Sequence, residues 1–297
     1  WLWRGEPGST QKLSYRIGTD DGGDDDERPS WIKEYEPFQF ARYPVTVQEW
    51  RWFVESGGYD PSAPWWASAG EAAIKWANEY GGASRRPWIL EDTRFSNGLQ
   101  PIMGISWFEA LAYAHWSQLL QRFLPAASGT AAGAPAGRIE LPTEVRWEAG
   151  VWGPEARPGP RGAEWVHRQG RNVPGSIDFN GDGSFGCTAP VGTYSRGAGP
   201  QGHFDTAGQV WEWCANAVSD RQMVDGWRHK PDREAADEVA LANDRQTDGV
   251  LRGGAFLDVS YHCRPSVRFR VHPVTHSGFF GVRLVRVFSP HSGHRTP

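Results

Sequence analysis

Glycine and proline, 36 and 22 of 297 residues, are spread evenly through this chain and limit the regular structure it can hold. Proline removes a backbone donor and glycine weakens helix and strand interiors, so many short strands and turns are expected, with few helices. The length still permits a substantial core, as one loop-rich domain or two small ones.

Three segments carry helix signals. Thr46-Val47-Gln48-Glu49 is a capping box, followed by Trp50, Phe53 and Val54 at helical spacing. Ser106-Trp107-Phe108-Glu109 repeats the device ahead of Leu111, Ala114, Trp116 and Leu119, which predicts the longest helix, to about Phe123. Thr143 predicts a third, short helix that buries Val145 and Trp147. Between the last two, residues 125–137 are low in complexity and read as a mobile surface loop. The acidic run at 20–27 reads as a solvated loop, because its like charges repel. No repeat of 20 to 50 residues is visible, which removes propellers and solenoids.

A net charge of -4 gives no reason to expect nucleic acid as a partner. No apolar run approaches the length of a membrane span. Cys187, Cys214 and Cys263 are odd in number and far apart, which argues against a disulfide framework and favours a reducing, cytoplasmic compartment. The chain starts at Trp1 without an apolar signal segment, so its compartment is otherwise unread. His115, His167 and His203 are scattered without metal spacing, and no serine triad or phosphate loop stands out.

Five ordered segments together resemble the formylglycine-generating-enzyme (sulfatase-modifying factor) domain. They are YRIGTDDG with the stretch through RWFV, PIMGISWFEALAYAHW, RIELPTEVRWEAGVWG, TAPVGTY through AGQVWEWCANAV, and VLRGGAF through GVRLVR. The resemblance spans about 15–287 and implies one α+β domain over 1–297. That domain is an elaborated C-type-lectin fold with a small twisted antiparallel sheet, few helices and much irregular structure. Trp211, Trp213 and the glycines of Arg252-Gly253-Gly254 read as scaffold within it.

The same resemblance implies structural calcium. One position would use the side chains of Asn172 and Asp182 with carbonyls of Val173 and Phe185. A second would use Glu212 with carbonyls of Ala207, Gly208 and Val210, although Gln209 stands where the family usually has Asn. Residue by residue, Asp178, Asn180 and Asp182 also resemble the start of an EF-hand, but Ala189 occupies the place of its bidentate Glu. The competing reading is an ordinary Asx-rich turn and a hydrogen-bonded Glu without metal.

The family's oxidase holds copper with two cysteines five residues apart. Here Cys263 matches the second and Asp258 replaces the first, which a soft ion disfavours. Family members that make sulfoxides use a histidine-rich iron site in an additional helical domain, for which this chain shows no counterpart. No catalytic cofactor is therefore expected.

Residues 247–297 contain no Trp, Glu, Gln, Lys or Met, although the chain has 17 Trp. Those are the five types that codons ending in C never encode. The segment thereby resembles the variable region, here about 255–280, of proteins rewritten by diversity-generating retroelements. The expected framework is Arg252, Gly253, Gly254, Cys263, Arg264, Arg268, Arg270, Pro273, Gly281 and Arg283. The expected variable, ligand-facing residues are Leu257, Asp258, Val259, Tyr261, His262, Phe269, Val271, His272, Val274, Thr275, His276 and Phe279. The plainer explanation is that a strand-rich tail is poor in Glu, Lys and Gln anyway.

The leading expectation is a non-enzymatic receptor that binds a protein ligand through those hypervariable side chains. Carbohydrate binding does not follow from the fold, since EPN- or QPD-type loops are absent. The alternative is a formylglycine-generating-type copper oxidase or another catalytic member of the sulfatase-modifying factor family.

Overall fold

The structure is a computed structural model that describes residues 2–3, 11–20, 23–82, 85–121, 137–154, 179–183, 185–199, 201–218 and 248–288. The loop expected at 125–137 lies almost wholly outside them, as do Asn172, Val173 and His167.

In chain order come β1 (Leu2–Trp3), β2 (Leu13–Ile17), β3 (Trp31–Tyr35) and β4 (Phe38–Phe40). Helices α1 (Val47–Glu55), α2 (Pro64–Ser68), α3 (Glu71–Tyr80) and α4 (Trp107–Leu120) follow. Then come β5 (Arg138–Glu140), α5 (Glu144–Trp152), β6 (Trp211–Val218) and β7 (Asp248–Arg252). Strands β8 (Phe269–Val271), β9 (Phe280–Gly281) and β10 (Val285–Val287) complete the set. One four-stranded sheet runs β1-β4-β10-β5, a second runs β8-β7-β6-β9, and β2 pairs with β3. All ladders are antiparallel except β6 with β9. The class is α+β, as expected.

The three signalled helices form with the expected caps. Thr46 Oγ1 accepts from the Glu49 amide while the Glu49 carboxylate takes the Thr46 amide, and Ser106 with Glu109 repeats the exchange. Thr143 Oγ1 accepts from the Arg146 amide at 3.1 Å, and α5 buries Val145 and Trp147. Helix α4 is buried on nearly all sides from Trp107 to Ala114, because alanines at 110, 112 and 114 let neighbours approach closely. Helices α2 and α3 were not foreseen. The first has five residues and only Pro64 at its first position as a start signal, and the second starts after Gly70 without a side-chain cap.

Trp211 and Trp213 are core residues, as their alternation suggested. Trp213 Nε1 donates to the Ile105 carbonyl and Trp107 Nε1 to the Cys214 carbonyl, which ties β6 to α4 by two buried bonds. All three cysteines are free. No helix among the described residues is long and apolar enough to cross a membrane.

The acidic run departs from the expected solvated loop. Asp25–Glu27 form a single 3-10 turn, and Glu27 is fully buried. Arg264 and Ser266 draw it inward by binding its carboxylate, so charge repulsion within the run is offset from the C-terminal segment.

Candidate functional site in the C-terminal segment

The chain leaves β7 through Gly253 and Gly254, whose φ angles of 101° and 75° suit glycine. A Cβ on Gly254 would lie 2.7 Å from Cys263 Sγ, so the close approach also excludes a side chain there. The loop then turns through Ser260–Cys263 and returns as β8 beside β7, with Leu251 opposite Phe269 and Gly249 opposite Val271. A turn at 272–275 leads to β9.

Four buried arginines hold this path, and each takes a carboxylate from elsewhere in the chain. Arg252 donates to Glu148 at 2.9 Å and to the Pro265 carbonyl at 2.7 Å. Arg264 forks onto Glu27, with both bonds at 2.7 Å. Arg268 forks onto Glu144 at 2.7 and 2.8 Å. Arg283 meets Glu212 and also donates to the carbonyls of Ala41, Phe204 and Asp205. Such planar pairs fix orientation as well as charge. The anions that neutralise these buried cations all come from outside the segment.

Nine of the ten expected framework residues are buried, and Arg270 is half-buried. The twelve expected ligand-facing residues are all exposed or half-buried: Leu257, Val259, Tyr261, His262, Phe269 and His276 fall in the first group, and Asp258, Val271, His272, Val274, Thr275 and Phe279 in the second. Phe269 lies on Trp211 with ring centroids 5.3 Å apart. His276 Nδ1 lies 3.1 Å from the Val274 carbonyl, and the Val274 amide faces His272 Nδ1. Trp88, 46 % exposed, borders this turn with Gly278 against its ring, a neighbour that no local motif signals.

Asp258 and Cys263 do not make a copper site. Cys263 is fully buried, and burial, with the Asp258 and Asp182 charges adding, pushes its thiol well above the ordinary range. Asp258 offers a hard carboxylate that already accepts the Ala255 amide at 2.8 Å, with His262 Nδ1 at 3.9 Å. A pair of thiolates is thus absent. Iron is no better served among the described residues. Only Asp24, Asp26 and Glu27 bring three candidate donors together, and Arg264 already occupies Glu27. His115 sits on α4, and His203 is buried against Phe40.

The expected calcium residues divide. Asp182 and Asn180 each carry a buried Oδ1 without a partner, which suits a hard cation, and the exposed Phe185 follows on the same loop. This loop joins the C-terminal segment directly: the Asp182 amide donates to the Asp258 carbonyl and that of Gly183 to Phe256. Glu212, by contrast, has both oxygens engaged by Arg283 and accepts from Trp147 Nε1.

Residues 9–288 match the family profile of the sulfatase-modifying factor enzyme 1-like domain. The chain is similar to hercynine oxygenase of Mycolicibacterium smegmatis, 32% identical over 288 residues that cover 94% of this chain and 59% of that protein. It is also similar to the formylglycine-generating enzyme of Streptomyces coelicolor, 29% identical over 296 residues covering 87% of this chain and 81% of the relative. The solved structure of PvdO from Pseudomonas aeruginosa shares the fold, with a TM-score of 0.62 at 18% identity, 96% of this chain and all of that one. This chain spans a little over half the length of the hercynine oxygenases it matches.

These relatives overturn the expectation of a non-enzymatic receptor. Relatives at 31 to 32% identity over most of the chain are named as enzymes. The chain belongs to the sulfatase-modifying factor enzyme 1-like domain family.

Proposed function

We propose that this chain is a catalytic domain of the oxygenase kind, acting on a small substrate held on its C-terminal face, and that hercynine is the first substrate to test. The observation that carries the reading is the separation within residues 252–283, where a buried frame presents only open side chains. A site of that construction positions a ligand without moving its own backbone. Similarity to hercynine oxygenases over 94% of the chain supports the oxygenase branch. The buried Cys263 and the carboxylate at Asp258 count against the copper branch.

On this reading Phe269, backed by Trp211, supplies a flat apolar wall that excludes water. His276 is oriented by the contact of its Nδ1 with the Val274 carbonyl. Calcium is the structural ion we propose, with Asp182 as its carboxylate; it would hold the 179–185 loop against Phe256 and Asp258. Calorimetric titration with hercynine tests the face: binding that Phe269→Ala weakens supports it, and no binding to the unaltered protein overturns it.

A further inference from the structure

The face depends on a contact with the other end of the chain. Glu27, 237 residues before Arg264, is fully buried and takes Arg264 Nη1 and Nη2 at 2.7 Å each. The Ser266 hydroxyl donates to the same carboxylate. Arg264 Nε then donates to the Tyr261 carbonyl at 2.9 Å, and its guanidinium carbon lies 4.0 Å from the centre of the Tyr261 ring. The Tyr261 hydroxyl returns to Asp24 Oδ1 at 2.8 Å, and Arg268 Nη1 donates to the Asp26 carbonyl. Asp24–Glu27 therefore grip the loop 260–268 at three separate points.

A buried ion pair is weak evidence for stability, because an apolar pair of the same volume often serves as well. What a two-pronged carboxylate adds is direction. It fixes the plane of Arg264, and that plane fixes both the carbonyl and the ring of Tyr261. Tyr261 belongs to the single turn Ser260–Cys263, which also carries His262 and begins two residues after Asp258. The charges of Asp24 and Glu27 are turned toward Arg264, so the acidic cluster acts as a clamp.

We propose that Glu27, acting through Arg264, is a positioning residue of the C-terminal face. It sets where Asp258, Tyr261 and His262 stand. The inference rests on reading that face as the substrate site, but its structural half is testable alone. Amide exchange of Glu27→Gln should rise about tenfold across 257–264 while α4 and β6 stay within about twofold of the unaltered protein. Glu109→Gln, another buried carboxylate, is the control and should leave 257–264 unchanged. Asp24→Asn keeps the Glu27 pair, avoids a folding failure, and should speed exchange at 261–262 only. Arg264→Lys should not restore protection, since it loses the fork. Unchanged exchange at 257–264 in Glu27→Gln, or a uniform rise throughout the chain, overturns the proposal. In hercynine turnover Glu27→Gln should raise KM about tenfold with kcat nearly unchanged. Absence of turnover in the unaltered protein sinks the oxygenase reading instead, and leaves the exchange result to decide this one.

Discussion

Arg283 and Glu212 stand 71 residues apart and meet as a fully buried pair, with the Arg283 Nη2 bond at 2.8 Å. The Trp147 indole donates to the same carboxylate, so one group of β6 fastens both the C-terminal segment and α5. Breaking the pair from one side leaves an uncompensated charge. Glu212→Ala should therefore cost about 3–5 kcal/mol in urea unfolding. A loss under about 1 kcal/mol would show that water or a neighbour replaces the carboxylate.

Glu144 gives a dependence on pH. Burial alone would raise its pKa, but Arg268 and Arg252 beside it, with bonds from Arg268 and Asn216, hold it below the ordinary range. A carboxylate depressed in the folded state stabilises it above the unfolded pKa of about 4.3 and loses that contribution as pH falls. Glu144→Gln cannot titrate. Its stability should fall less steeply with acid than that of the unaltered protein, when thermal midpoints are compared from neutral pH downward. Equal slopes would contradict this. Glu148 works in the opposite sense, since burial outweighs Arg252 and raises it.

Gly254→Ala places a Cβ 2.7 Å from Cys263 Sγ at a φ of 75°. Strain and overpacking add, so a loss of about 2 kcal/mol or more in the denaturant midpoint is expected. The paired change Gly254→Ala with Cys263→Ala should recover part of it, because the sulfur is the nearest obstacle.

Much of the scaffold was legible in the sequence. Thr46, Ser106 and Thr143 announce their helices because a cap is a local device, complete within four residues. Gly70 announces nothing, and α3 is held by packing of Trp76 on Trp66 and Phe108. The division of residues 252–283 into a frame and an open set was also legible, through the family pattern the segment resembles. Its cause was not. The partners of the buried arginines are Glu27, Glu144, Glu148 and Glu212, which lie far away in sequence, so the pairing that buries the frame is not visible locally. The buried Glu27 defeated the reading of an acidic loop for the same reason.

Calcium has its own test. With the ion at about a hundred times its Kd, the thermal midpoint should rise as expected for about 2.7 kcal/mol of stabilisation. Asp182→Asn should abolish the rise. A rise that survives this change would move the site elsewhere, and no rise in the unaltered protein would remove calcium from the account.

Oxygen-dependent conversion of hercynine is the deciding measurement. The purified protein is incubated with hercynine and a thiol as sulfur donor, in air and under nitrogen, with ferrous or copper ions supplied, and hercynine is followed by mass spectrometry. Loss of hercynine in air and not under nitrogen is the predicted result. Undiminished hercynine in every condition, at protein concentrations equal to the substrate, would contradict it.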